Sequence, residues 1–115
     1  MNNARHRDFH LLGNLLHFHA FSDETNGAYT VVEARTAPGA GAPPNHHKGE
    51  QESFYVLEGE FGFMIDGVET RHGPGEMVVV PDGALHAFRC LSDTPGRVLI
   101  LNAPGLMHDR FFSEA

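Results

Sequence analysis

The sequence predicts an all-β domain, a sandwich or a barrel, and three observations carry that prediction. Glycine and proline break the 115 residues at short intervals, at Pro38-Gly39, Gly41 to Pro44, Gly59, Asp66-Gly67, Gly73 to Gly75, Pro81 to Gly83, Pro95-Gly96 and Pro104-Gly105, and leave no room for helices of ordinary length. Segments rich in β-branched and aromatic residues lie between these breaks and recur roughly every 8–12 residues, the spacing of small all-β folds. Asp66-Gly67 joins two such segments and is a two-residue hairpin signal, because both central positions of a type I′ turn need positive φ.

The elements follow in order. Leu11 to Phe21 carries a helical period in Leu12, Leu15, Leu16 and His19 and an alternating one in Leu15, His17 and His19; we read it as a strand. Ala28 to Thr36, Ser53 to Glu58, Phe61 to Ile65, Val68 to Arg71, Met77 to Val80, Leu85 to Leu91 and Arg97 to Asn102 read as further strands, and Gly41 to Pro44 as a turn-rich connection. Leu106 to Ala115 reads as a terminal turn or frayed helix that packs Phe111 or Phe112 on the barrel. With no repeat and no long linker, residues 1–115 are expected to form a single domain.

A 12.6 kDa chain buries about two thirds of the surface its unfolded form exposes, enough for a core without metal or disulfide staples. The lone Cys90 excludes an intramolecular disulfide framework and a zinc-finger cluster. No apolar run approaches the length of a membrane-spanning helix, and the chain is expected to be soluble and cytoplasmic. Lys and Arg number 8 against 15 Asp and Glu, for a net charge of −7, so neither nucleic acid nor an anionic membrane is an expected partner. Nine histidines stand out, since their protonation would carry the charge from −7 to +2.

Two segments concentrate the chemistry. In the first, Gly39 is followed after five residues by Asn45-His46-His47, then by Glu52 and Gly59. On an extended chain Asn45 and His47 share one face and His46 takes the other. In the second, Gly75 precedes Pro81-Asp82-Gly83, His86 and Cys90, and alternation puts His86, Phe88 and Cys90 on one face.

Together these segments resemble the cupin superfamily, in particular its small single-domain cupin 2, quercetin-dioxygenase-like members. The family's first motif runs Gly, five residues, His-x-His, three or four residues, Glu, six residues, Gly. Its second runs Gly, five residues, Pro-x-Gly, two residues, His, three residues, Asn. Motif one at residues 39–59 and motif two at residues 75–90 keep every spacing, with Asn45 where the first histidine is expected and Cys90 in place of the asparagine.

The resemblance implies a double-stranded β-helix, or jelly-roll, barrel that binds one divalent ion, Fe, Mn, Ni or Zn, through His47, Glu52 and His86. Asn45 is a candidate fourth donor, weaker than imidazole toward transition ions. Glu52 is also a candidate base. Phe54, Phe63, Phe88 and Cys90 are candidate pocket residues for a small-molecule ligand. With Phe61, Met64, Ile65, Met77 and Val79 they serve equally as core. The implied activity is oxygenase-like chemistry on a small organic molecule, the alternative a non-catalytic ligand- or metal-sensing module. A homodimer formed through exposed sheet edges is the implied assembly. His17 and His19 either line the barrel from its first strand or stand exposed; His6, His10, His72 and His108 read as surface residues. Glu50 shares a face with Glu52 and has no independent support as a second acid.

Overall fold

The computed structural model describes residues 5–105; the expected terminal segment, with His108, Phe111 and Phe112, lies outside them. Ten strands form among the described residues: β1 (Asp8–Leu11), β2 (Asn14–Ala20), β3 (Thr30–Thr36), β4 (Gly41–Asn45), β5 (Gln51–Glu58), β6 (Phe61–Ile65), β7 (Val68–His72), β8 (Met77–Val80), β9 (His86–Cys90) and β10 (Gly96–Ala103). One 3₁₀ turn, Ser22–Glu24, is the only helical element there. None of the helical structure is long and apolar enough to cross a membrane. The strands pair antiparallel in two sheets, ordered β1-β2-β3-β10-β5-β8 and β4-β9-β6-β7, which is the expected jelly-roll sandwich.

Alternation builds the core between the sheets. Val98 and Ile100 of β10, Phe54 and Val56 of β5, and Phe61 and Phe63 of β6 all turn inward and are buried. The hairpin at Asp66-Gly67 forms as expected, with φ of +48° and +84°. Gly41 is required for a different reason: a Cβ there would lie 1.9 Å from the Phe88 carbonyl oxygen of the neighbouring strand.

Two strands depart from the sequence reading. The strand expected from Leu11 to Phe21 forms as β2, but β1 precedes it and the two make a hairpin folded about Leu12-Gly13, with φ of +52° and +82°. Gly41 to Pro44, expected as a connection, forms a strand together with Asn45 despite its two prolines. It is an edge strand bonded only to β9, where a missing N–H costs no ladder bond. Met77 and Val79, grouped with core or pocket residues, are exposed. Their neighbours Val78 and Val80 stand opposite Phe54 and Glu52 in register, so the inward face of β8 belongs to the two valines.

Candidate metal and ligand site

A cavity of about 220 Å³ lies between the sheets, lined among others by Asn45, Glu52, Phe54, His86, Phe88 and Ile100. Its polar end is assembled from both layers. His86 opens β9 in the four-stranded sheet and Glu52 sits on β5 in the six-stranded sheet, so their contact crosses the sandwich. Asn45 stands opposite His86 in the β4–β9 register.

His86 is 4% exposed, and its two ring nitrogens have distinct partners. Nδ1 lies 3.0 Å from the Ala84 carbonyl oxygen, which can only accept, so Nδ1 carries a proton. Nε2 lies 2.5 Å from Glu52 Oε1, and a second proton is shared there. The hydrogen bond that Glu52 accepts from His86 raises the His86 pKa above its usual value, with the Ala84 carbonyl adding to it, while burial works against both.

This arrangement suits a divalent ion in chemical terms. A backbone carbonyl fixing Nδ1–H leaves Nε2 as the donor, the pattern of metal-ligating histidines. The carboxylate already faces that nitrogen. His47 lies just past the end of β4, its ring centroid 6.2 Å from that of His86. Two imidazoles sharing one ion, with metal–nitrogen bonds of about 2.0–2.1 Å, have centroids about 4.5–5.2 Å apart at octahedral to tetrahedral angles. His47 is thus about an ångström wide of that spacing. Asn45 Nδ2 donates to the Pro43 carbonyl, 2.8 Å away, and leaves the amide oxygen as the end able to coordinate. Among the described residues, no three His, Cys, Asp or Glu side chains converge on one point.

The loop bearing His47 is tied to the second motif. Gly83 N–H donates to the His47 carbonyl at 3.0 Å, and Gly49 N–H to Asp82 Oδ1 at 2.7 Å. The Pro81-Asp82-Gly83 turn therefore does more than reverse the chain: it docks motif one beside His86.

Of the expected pocket residues, Phe54 and Phe88 line the cavity, whereas Phe63 and Cys90 do not. Phe63 lies beneath Phe54, ring centroids 5.0 Å apart. Cys90 ends β9, four residues or about 13 Å along the strand from His86, in contact with Ser92 Oγ at 3.3 Å. Both side chains are buried, for different reasons: Cys90 lies farther along β9, whereas Phe63 is level with Phe88 but one strand further across the sheet, on β6. His46 is exposed, and His17 and His19 point out from β2 while Phe18 fills the inward position. Glu50 was missed. It is 3% exposed and accepts a 3.1 Å hydrogen bond from Asn102 Nδ2; the signal lay in its sharing a face with Glu52, but its partner is 52 residues away in sequence.

Comparison with known proteins bears on the family and the fold. The cupin-domain family model, of the Cupin 2 type, matches residues 32–102. Quercetin 2,3-dioxygenase of Bacillus subtilis (strain 168) is 32% identical over 102 residues, 88% of this chain, and the chain spans 30% of that enzyme's length. The structure of KdgF from Halomonas sp. has a TM-score of 0.76 at 23% identity, covering 86% of each chain. A predicted oxalate decarboxylase from Thermotoga maritima has a TM-score of 0.80 at 18% identity, over 85% of this chain and 92% of that one. At such identities the two structures speak to the fold alone, while the family match spans both motifs, and the chain belongs to the cupin-domain family.

Proposed function

We propose that this chain is a metal-dependent cupin with oxygenase-like activity on a small organic molecule held in the interior cavity. The observation that carries this reading is the Glu52–His86 contact, a buried imidazole nitrogen and a carboxylate brought face to face from opposite sheets. His47, Glu52 and His86 would hold one divalent ion, Fe, Mn, Ni or Zn, with Asn45 as a fourth, neutral donor. When bound, such an ion supplies Lewis acidity and open coordination positions. The similarity to quercetin 2,3-dioxygenase supports dioxygen chemistry.

The chain's own residues supply the rest. Ala84 holds the His86 tautomer. Phe54, Phe88 and Ile100 keep water from the apolar end of the cavity and orient a planar or branched carbon skeleton against it. Glu52 is positioned to take a proton from a weakly acidic hydroxyl or carbon acid. About 220 Å³ is below the usual range for drug-sized ligands, roughly 300–1,000 Å³, and favours a small substrate.

A second reading, a ligand- or metal-sensing module without turnover, is favoured by one observation: Asn45, a neutral amide, stands where the family has a stronger imidazole donor. Oxygen uptake by the Fe(II)-loaded protein with small phenols, enediols and β-dicarbonyls separates the two. Uptake abolished by His86→Ala supports the enzyme; stoichiometric metal and saturable ligand binding without uptake select the sensor. Pairing of copies belongs to the same proposal, since edge strand β8 presents Met77 and Val79 outward. Light scattering should give a dimer that Val79→Glu dissociates, and a monomeric parent would remove that part.

A further inference from the structure

The described histidines outside the cavity include one pair whose geometry calls for a ligand. His17 and His19 occupy the outer face of β2, with side chains 43% and 46% exposed. On a regular strand, residues i and i+2 are about 6.6 Å apart. Here the register slips between Phe18 and Ala20, making His19 the extra residue of a β-bulge, and the ring centroids come to 4.8 Å with planes at 72°. That separation lies inside the roughly 4.5–5.2 Å range expected for two imidazoles on one ion.

Each ring has its own carboxylate. Asp8 Oδ1, opposite His17 in the β1–β2 register, is 2.9 Å from His17 Nδ1. Glu33 Oε1, from β3, is 3.4 Å from His19 Nε2, and its other oxygen accepts from Arg97 Nε at 2.7 Å, which anchors the carboxylate. With protons on those two nitrogens, His17 Nε2 and His19 Nδ1 keep their lone pairs. A ligating histidine characteristically donates its other N–H to a carboxylate in this way.

We propose that His17 and His19 form a second, surface metal site for an imidazole-preferring divalent transition ion, with Asp8 and Glu33 orienting the rings. Only two protein nitrogens coordinate, so water fills the remaining positions and the site is open to a ligand from solution. By the usual ordering of divalent ions, copper(II) binds most tightly. This site is independent of the interior one: His17 and His19 stand on the outer face of the six-stranded sheet, and Glu52 meets His86 on its inner, packed side.

Copper(II) titrated into the untagged full chain, followed by calorimetry and electron paramagnetic resonance, tests it. His17→Ala/His19→Ala should remove one bound equivalent and its two-nitrogen signature with unchanged circular dichroism, and Asp8→Asn should weaken that equivalent about tenfold. The equivalent should survive in Glu52→Gln and in His46→Ala. Should the alanine pair fold poorly, His17→Gln/His19→Gln is read in the same way. Retention of parent stoichiometry and affinity without the two histidines overturns the site, as does equal loss from His46→Ala, which would mean diffuse histidine binding.

Discussion

His86 meets Glu52 at 2.5 Å inside the sandwich, and His17 meets Asp8 at 2.9 Å on its outer face. The residue types are the same and the surroundings are opposite: side chains 6% and 15% exposed in the first pair, 43% and 58% in the second. Outside, water screens the charges and pays for little organisation, so such pairs are worth about 0–1 kcal/mol. Inside, neither group can be rehydrated if the other is lost, and a partner that replaces the shared proton inherits a prepared nitrogen and carboxylate. Burial, more than composition, separates a candidate reaction centre from a surface site.

The largest effect should come from removing the interior imidazole. His86→Ala is expected to abolish stoichiometric interior metal, read by elemental analysis, while His17→Ala/His19→Ala leaves that equivalent in place. Equal interior metal content in both variants would erase the distinction. Next, Glu52→Leu in metal-free protein should cost about 2–3 kcal/mol in urea unfolding, below the roughly 3–5 kcal/mol of a broken buried ion pair because imidazole can shed its proton. Glu52→Leu/His86→Leu should regain much of that loss, whereas Asp8→Ala should cost less than about 1 kcal/mol.

Asn45→His sharpens the comparison from the other direction. It adds an imidazole beside His86 and should tighten interior metal binding about 10- to 100-fold by competition with a chelator, with no change at the outer site. An unchanged affinity would show that position 45 stays outside the coordination sphere.

The smallest effect concerns a solvated pair used as a reference. Arg7 and the Phe21 N–H hold Glu24 down to about pKa 2 from the usual 4.5, so this carboxylate stabilises the fold above about pH 4.5 and the contribution disappears as pH falls through 2. Its side chain is a third exposed, and screening limits the contribution to under about 1 kcal/mol. Glu24→Gln should lower the melting temperature slightly at pH 7 and not at all near pH 1.5; an equal loss at both would assign the effect to packing.

Much of the fold was legible in the chain because its signals are local. Alternation in Val98 to Asn102, the Asp66-Gly67 turn and the glycine and proline breaks each act over a few residues, and they led to the right class and most of the strands. The resemblance to the cupin family, carried by the two motifs, also brought Glu52 and His86 into one hypothesis, although 34 residues separate them. The sequence could not show that Gly41–Asn45 would be tolerated as a strand, since edge position depends on which strand lacks a second neighbour. It could not rank Phe54 against Phe63, or Phe88 against Cys90, because alternation sets which way a side chain faces and says nothing of where its strand lies in the sheet or how far along the strand it sits. Nor could it bury Glu50 with Asn102 or draw His17 and His19 together across a bulge. The sequence by itself determined an all-β cupin and the identity of its polar residues. The tertiary structure decided which of them meet, because only the stacking of the two sheets and the slip in one register set the distances and the burial on which their chemistry depends.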